Sequence, residues 1–172
     1  MNQSGSVQNG QDDNVLVITT GGTIDKVYFD ALSEFKVGQS VVGELLREAH
    51  VEVKYKIIEA CRKDSLELTD HDRLHIKQLI QNTQHRQIVV THGTDTMTKT
   101  AGILKSISDK TIVLTGSLSP ARFAQTDATF NVGMAFSAAQ TLTPGVYIAM
   151  SGQIFDGAAV KKDRNNNRFV SV

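Results

Sequence analysis

The chain has 172 residues, enough for one domain with a substantial core. Its 18 basic and 18 acidic residues cancel, so it lacks the basic excess typical of a nucleic-acid-binding protein. No apolar run in the sequence approaches the roughly 18 residues of a membrane-spanning helix, and we expect neither a nucleic-acid nor a membrane partner. The single cysteine, Cys61, excludes an intrachain disulfide and favours a reducing, cytoplasmic location.

The N-terminal residues are polar and lack the basic and apolar regions of a secretory signal. We predict that residues 1–13 form a disordered polar leader. Residues 14–172 are predicted to form a single domain, because no internal repeat or linker-like change in composition interrupts them before the polar tail.

Apolar segments of strand length alternate with amphipathic segments of helix length. Strands are predicted over 14–20, 51–58, 87–91, 111–115 and 147–150, and helices over 41–49, 69–82, 94–107 and 126–140. A hairpin is expected over 153–161 around the Asp156-Gly157 pair, and the tail over 163–172 is predicted to be a loop or linker. Buried strands separated by helices predict an α/β fold, with three α/β/α layers and a mostly parallel sheet.

Small residues and hydroxyls follow the predicted strands, at the edge where open parallel sheets bind ligands. They lie in 19–23, 61–65, 92–96, 116–117 and 151–152. In any one loop such residues are explained by turn and helix-cap chemistry alone. Their recurrence after every strand favours an active site at the carboxyl ends of the strands.

The signatures of several other sites are absent from the sequence. It contains no G-x-G-x-x-G, no G-x-x-x-x-G-K-[ST], no G-x-S-x-G and no H-E-x-x-H. His71 and His75 lie four residues apart on a predicted helix, but no third ligand is evident at a suitable spacing. We therefore interpret the two histidines as a solvated helix face and expect no metal and no cofactor.

Two threonine-centred segments, 17–24 and 90–97, resemble the two signature segments of the bacterial-type L-asparaginase/glutaminase family. The pair Asp64-Ser65 stands where that family carries a substrate-binding serine, and 156–162 resembles its turn that delivers a lysine. The similarity runs from about residue 14 to the end of the chain and corresponds to the N-terminal domain of the family. Residues 14–172 are thus expected to be a catalytic domain of this N-terminal type. Typical members have a second, C-terminal domain that contributes to a neighbouring subunit's active site.

The resemblance implies roles for four catalytic residues. Thr23 matches the primary nucleophile and Thr94 a second threonine, while Asp95 is expected to pair with Lys162. A threonine hydroxyl needs a neighbouring group to take its proton, and a lysine held beside Thr94 suits proton transfer. The implied reaction is attack on a side-chain amide, release of ammonia, and hydrolysis of an acyl-threonine ester. The residues leave open which group is the base in each step.

The resemblance also implies a substrate-binding set. Ser65 is expected to bind the α-carboxylate and Asp95 the α-ammonium, with the backbone around Gly22 and Gly93 and the hydroxyl of Thr94 beside them. The carbonyl of Ser117 is expected to accept from the leaving amide nitrogen.

The connection over 25–38 is long for a link between a strand and a helix, and such loops often act as lids. Tyr28 lies in it, where the family has a tyrosine that assists the nucleophile; the alternative is that Tyr28 only anchors the loop. Leu66 departs from the family, which often has a polar residue after the serine.

The expected function is hydrolysis of L-asparagine, with L-glutamine as a second candidate substrate, to aspartate and ammonia. A homo-oligomer, dimer or tetramer, is expected because the open edge of the sheet needs cover. Two alternatives remain: a catalytically weak amino-acid-binding domain, and an amidotransferase-associated domain lacking the second domain. The catalytic set favours the enzyme, since a binding domain needs no lysine–aspartate pair.

Overall fold

The computed structural model describes residues 15–172, so the leader predicted over 1–13 lies outside the described residues. The helices are α1 (Val42–Glu48), α2 (Asp70–Asn82), α3 (Met97–Leu104) and α4 (Ala128–Thr141). The strands are β1 (Val15–Gly21), β2 (Lys26–Phe29), β3 (Glu34–Val37), β4 (Tyr55–Lys63), β5 (Gln87–Thr91), β6 (Thr111–Thr115), β7 (Gly145–Met150), β8 (Gln153–Asp156), β9 (Val160–Asp163) and β10 (Arg168–Ser171). None of the helices in this part of the chain is long and apolar enough to span a bilayer.

Six strands form the central sheet in the order β4-β1-β5-β6-β7-β8. All neighbours are parallel except β7 and β8, which are antiparallel. The reversal occurs at Ser151 and Gly152, whose φ angles of 53° and 81° suit a two-residue hairpin turn. The α/β class with a mostly parallel sheet is therefore confirmed.

Helices cover both faces of this sheet, which is why its inner strands are mostly apolar and buried along their length. In β1, Leu16 and Ile18 belong to the core beneath α2 and α3, whereas Val15 and Val17 belong to the core beneath α1 and α4. Each such side chain contributes about 1.5–3 kcal/mol on burial. The three-layer α/β/α arrangement follows from this two-sided burial.

Several predicted boundaries are wrong, and each has a local reason. β4 spans Tyr55–Lys63 rather than 51–58, because its pairing with β1 starts at Tyr55, while Val51 and Val53 pack against the core from the preceding connection. Helix α3 begins at Met97 rather than at residue 94, because residues 94–96 form turns before the helix.

The predicted hairpin over 153–161 is also wrong, as is the loop predicted over 163–172. β8 joins the central sheet, and β9 instead pairs antiparallel with β10, which lies in the predicted loop. Phe169 of β10 is buried and its ring lies 6.4 Å from that of Phe155 in β8. The β9–β10 hairpin is thereby fixed against the main domain.

The long connection after β1 is an ordered hairpin of β2 and β3. Asp25 anchors its base: its carbonyl accepts from Gly38 N at 2.8 Å and its carboxylate from Val41 N at 3.0 Å. Burial of Asp25 raises the pKa of its carboxyl group. Both ends of the hairpin are thus attached next to the residues that follow β1.

Helix α2 starts with the N-cap predicted at Thr69, and Asp72 completes a capping box. The Asp72 carboxylate accepts from Thr69 N at 2.8 Å and from Lys63 Nζ at 2.9 Å. The hydrogen bond from Lys63, followed by that from the Thr69 backbone, lowers the pKa of Asp72 to about 2. One carboxylate therefore joins the end of β4 to the start of α2.

The capping carboxylate should make stability depend on acid pH. Because the folded pKa of Asp72 is about 2, below its ordinary 3.8, its contribution is present above pH 3.8 and is lost as the pH falls through 2. We expect Asp72→Asn to lower the free energy of unfolding by about 1 kcal/mol at neutral pH and to flatten its decline below pH 4. Urea titrations at several pH values measure this, with the exposed Asp109→Asn as control. Equal curves for both variants would contradict the assignment.

Candidate active site

Three loops meet at the carboxyl edge of the sheet so closely that two of them require glycine. Gly22, with φ +90°, would place a Cβ 2.5 Å from Gly93 Cα. A Cβ on Gly93 would in turn lie 2.6 Å from Ser65 Cβ. The residues expected after β1, β4 and β5 are therefore in direct contact. Thr23 and Thr94 follow two glycines that touch.

A largely shielded lysine, Lys162, lies at this edge. Lys162 Nζ is 2.7 Å from Thr94 Oγ1 and 2.7 Å from Asp95 Oδ1. The side chains of Lys162 and Asp95 are 9% and 39% exposed, so the ion pair is shielded on the lysine side and open on the aspartate side. The structure thus contains the pairing of Lys162 with Asp95 that the resemblance implied.

The β9–β10 hairpin brings Lys162 to Thr94 from the far end of the chain. Lys162 pairs with Phe169 in the antiparallel ladder, and Phe169 is held in the core. Lys161, which precedes Lys162 on β9, is exposed because successive side chains of a strand point to opposite faces. A correctly oriented Lys162 therefore depends on this hairpin.

Thr23 lies at the start of a one-turn 3-10 helix, Thr23–Asp25, directly after Gly22. The side chain is partly buried, and the turn is attached to the loop after β6 by a bond from Ala121 N to Ile24 O of 3.0 Å. The hydroxyl is thus presented on a short, anchored turn next to Gly93.

Ser65 carries an unsatisfied buried hydroxyl. It is 1% exposed, and its Oγ has no hydrogen-bond partner among the described residues. Such a group costs about 1–3 kcal/mol when nothing binds it. The carbonyl of Ser65 is fixed by Thr96 Oγ1 at 2.7 Å. A rigid backbone with a free hydroxyl is suited to binding a polar ligand.

Asp64, beside Ser65, is paired with Lys26 of the β2–β3 hairpin at 2.8 Å. Burial alone would raise the pKa of Asp64, but the Lys26 ammonium and the Leu66 N–H outweigh it, so the pKa is lowered. The ion pair links the hairpin to the loop that carries Ser65.

Two predicted site residues, Tyr28 and Ser117, make no contact with Thr94, Asp95 or Lys162 that the described part of the chain shows. Tyr28 is 53% exposed on β2, and its ring packs edge-on against Phe35. Ser117 is buried after β6, where its hydroxyl donates to Ser119 O at 2.5 Å. The catalytic role of Tyr28 and the carbonyl role of Ser117 stay predictions.

A cavity of about 640 Å³ opens beside Asp95, between the β2–β3 hairpin and the loop after β4. Its lining mixes cations and carboxylates, and it includes Leu66. The charged members are Lys26, Lys36, Arg62, Glu34, Asp64, Glu67 and Asp95. A lining with both charges suits a small zwitterion such as an amino acid.

Sequence reasoning missed a buried polar network beneath these loops. His92 is fully buried, with Nδ1 2.7 Å from Gly93 O and Nε2 2.7 Å from Thr100 Oγ1. Burial lowers the pKa of His92 to about 4, so the imidazole is neutral at physiological pH. Arg73, 2% exposed, donates to Thr100 from the other side. The three-residue spacing between Arg73 and the buried Ile76 on α2 is the sequence feature that indicates a buried position for Arg73.

No group of three or more His, Cys, Asp or Glu side chains within residues 15–172 is arranged to hold a metal ion. Cys61 is partly buried, and burial raises the pKa of its thiol to about 11, so it is not poised as a nucleophile. The side chains that the structure brings together at this edge are those of Thr94, Lys162 and Asp95.

Comparisons with known proteins identify the family of this chain. The profile of the family "Asparaginase, N-terminal" matches residues 14–170. The chain is 29% identical to a glutaminase-asparaginase of Acinetobacter glutaminasificans, covering 92% of this chain and 53% of that protein. It is 30% identical to an L-asparaginase of Thermococcus kodakarensis, covering 86% of this chain and 47% of that protein.

The fold is shared with solved structures as well. The thermostable L-asparaginase of Thermococcus kodakarensis superimposes with a TM-score of 0.80 at 27% identity, covering 92% of this chain and 51% of that chain.

The fold and the site together define a class of protein: an α/β/α domain with threonine, lysine and aspartate side chains clustered at the carboxyl edge of its sheet. Within that class, the chain belongs to the asparaginase family and corresponds to its N-terminal domain. It spans about half the length of the curated relatives that it matches.

The contact between Gly22 and Gly93 should be intolerant of a single methyl group. We expect Gly22→Ala to cost about 2 kcal/mol or more, because the residue has φ +90° and a Cβ would overlap the Gly93 backbone. Gly133→Ala in α4, where a Cβ meets nothing within 4 Å, is the matched control and should stabilise by up to about 1 kcal/mol. Urea unfolding measures both. A tolerated Gly22→Ala would show that the loops are not in close contact.

Proposed function

We propose that the protein hydrolyses the side-chain amide of L-asparagine, with L-glutamine as a second substrate, to the acid and ammonia. The observation that carries the proposal is the largely shielded Lys162, whose Nζ lies 2.7 Å from both Thr94 Oγ1 and Asp95 Oδ1. Membership of the asparaginase family and the name of the Acinetobacter relative support the choice of substrate.

In the proposed mechanism, Thr23 Oγ attacks the amide carbon and loses its proton, and the leaving nitrogen gains one and departs as ammonia. This gives an acyl ester of Thr23. Water then attacks the ester carbon, and its proton restores the Thr23 hydroxyl. Backbone N–H groups of the tight loops at this edge are suited to stabilise the oxyanion of each tetrahedral intermediate.

Thr94, Lys162 and Asp95 are proposed to move the proton in both steps. Lys162 donates to the Thr94 hydroxyl and to the Asp95 carboxylate, so a proton lost at one group can be replaced from the next. Asp95 holds the ammonium in place, and the low exposure of Lys162 keeps the exchange away from bulk water. Tyr28 is proposed to assist Thr23 from the β2–β3 hairpin, as a candidate catalytic residue.

The amino-acid end of the substrate is proposed to bind at the mixed-charge cavity. The unsatisfied hydroxyl of Ser65 is suited to this role for the α-carboxylate, and the exposed side of Asp95 pairs with the α-ammonium. The backbones at Gly22 and Gly93 are proposed to line the same site, and the carbonyl of Ser117 is proposed to accept a hydrogen bond from the leaving nitrogen.

The catalytic threonines can be tested by ammonia release from asparagine, glutamine and a blank. We expect Thr23→Ala and Thr94→Val each to lower kcat by about a thousandfold, because a nucleophile or its activating partner is lost. Thr129→Ala, at an exposed position on α4, is the control and should leave kcat unchanged.

A variant at Thr23 or Thr94 that kept more than about a tenth of the kcat, a change below about 1.4 kcal/mol, would contradict its role. Amino-acid binding by the wild type without ammonia release would instead support the weak-binding alternative.

We also propose that the active form is a homo-oligomer. The open side of the Lys162–Asp95 pair and the exposed aromatic rings of Tyr28, Phe35 and Phe123 lie uncovered in the single chain. A neighbouring copy that excluded water would strengthen the electrostatic interactions in the site. We propose a cytoplasmic location because the single cysteine forms no intrachain disulfide, so the chain needs no oxidising compartment.

Light scattering at micromolar protein is expected to give a mass of at least twice 18.8 kDa, together with activity. A monomer with full activity would contradict the oligomer. Measuring the mass and the ammonia release on the same sample tests the oligomeric state and the activity independently.

A further inference from the structure

The α-carboxylate of an amino-acid substrate carries a negative charge, and Ser65 offers it only a neutral hydroxyl. The side chain that follows, Leu66, is apolar and 67% exposed, so it provides no hydrogen bond. The cavity beside Asp95 is lined by four carboxylates and three cations. An anion that enters a lining with more carboxylates than cations is stabilised only if one of those cations contacts it directly.

The β2–β3 hairpin directs one of these cations, Lys26, toward the carboxyl edge of the sheet. In the ladder, Lys26 lies opposite Val37 and Val27 lies opposite Lys36. Directly opposed residues of an antiparallel pair share a face, so Lys26 and Lys36 lie on different faces of the hairpin. Val37 marks the inner face, because its Cγ1 lies 2.7 Å from the position that a Cβ on Gly21 would take. Lys26 therefore faces the end of β1 and the loop after β4.

The other two cations of the lining have partners of their own. Arg62 Nη2 donates to both oxygens of the Glu59 carboxylate, at 2.9 and 3.1 Å. Lys36 Nζ lies 5.5 Å from the centre of the Phe29 ring, which is on the same outer face of the hairpin. Lys26 is therefore the cation of this lining that is best placed to meet a ligand.

Asp64 holds the Lys26 ammonium at the loop of Ser65 without using all of its donors. Lys26 Nζ lies 2.8 Å from Asp64 Oδ2, and an ammonium has three protons. Asp64 Oδ1 accepts from Leu66 N at 3.1 Å, so the carboxylate is fixed to the backbone of that loop. The side chain of Lys26 is 27% exposed, which shields the charge partly but leaves it accessible from the cavity. Two of its protons are thus available to a carboxylate bound beside Ser65.

We propose that Lys26 is a specificity-determining residue that binds the α-carboxylate of the substrate together with the Ser65 hydroxyl. Through this contact the site distinguishes a free α-carboxylate from one that is esterified or part of a peptide bond. A hydrogen bond between two charged groups is stronger than one between neutral groups, so removal of either charge weakens binding. The inference rests on the proposed function, since it assigns a residue to the same site.

Ammonia release from two substrates separates this contact from a merely structural role of Lys26. L-asparagine and its α-methyl ester share the side-chain amide and the α-amino group, but only L-asparagine has a negative carboxylate. We expect Lys26→Met to lower kcat/KM for asparagine by about thirtyfold and to leave kcat/KM for the ester within about threefold of wild type. Lys26→Arg keeps a cation at this position and should retain most of the preference for asparagine.

Two further lysine variants show whether the effect belongs to Lys26 in particular. Lys36→Met removes a cation from the other face of the same hairpin. Lys105→Met removes an exposed cation that does not line the cavity, and it controls for the change in net charge. Both variants should keep the wild-type ratio of kcat/KM for asparagine to kcat/KM for the ester.

An equal fall in kcat/KM for both substrates in Lys26→Met would overturn the proposal, because Lys26 would then only tie the hairpin to the loop. An equal loss of preference in Lys36→Met would also overturn it, since the general field of the cavity would suffice.

The proposed function and the role of Lys26 can fail separately. A wild type that releases no ammonia would overturn the proposed function, and calorimetric titration of wild type and Lys26→Met with asparagine and the ester would then decide the role of Lys26. Weaker binding of asparagine alone in Lys26→Met would support that role. Equal binding of asparagine by both proteins, or no binding to wild type, would overturn it.

Discussion

The whole site depends on backbone-to-backbone contact at the carboxyl edge of the sheet. Gly22 lies against Gly93, and Gly93 lies against Ser65, with no room for a side chain between them. Because β1 pairs in parallel with both β4 and β5, the three strands end at a common edge of the sheet. The two glycines let the loops that follow these strands lie in contact. Thr23, Thr94 and Ser65 are placed relative to that contact. The short distances follow from packing, so the hydroxyls need little further ordering when a substrate arrives.

The lysine is supplied by a different part of the fold. Lys162 comes from a two-stranded hairpin outside the central sheet, and that hairpin is held by contact between Phe169 and Phe155. Beneath the loops, His92 and Arg73 satisfy the backbone from below. The hydroxyl of Ser65 is left without a partner, whereas the Gly93 and Leu68 carbonyls below it are hydrogen-bonded. This division allows a rigid site that is still able to bind polar groups.

Much of this arrangement can be predicted from residue order, and the failures have physical causes. The strands over 87–91 and 111–115 are predicted at their observed bounds, because both are short apolar runs ended by turn residues. β10 is missed because a surface hairpin has only one buried residue in four, Phe169, and so gives little periodicity. The contact of Lys162 with Thr94 joins residues 68 positions apart, and only the family resemblance indicates it. The helical spacing of Arg73 with Ile76 indicates that Arg73 faces the core, but its hydrogen-bond partners depend on three-dimensional placement and cannot be predicted from spacing.

The edge position of β4 bears on how copies of the chain can associate. β4 pairs only with β1 in the described residues, so its outer side presents free backbone donors and acceptors that another strand could join. The exposed charged side chains of Lys56, Glu59 and Arg62 stand along it, and Glu59 and Arg62 pair with each other at 2.9 Å. Desolvating these groups opposes extension of one sheet into the next. Fibre-like growth through the sheet is thereby disfavoured, and copies that associate are directed to contact through faces and loops.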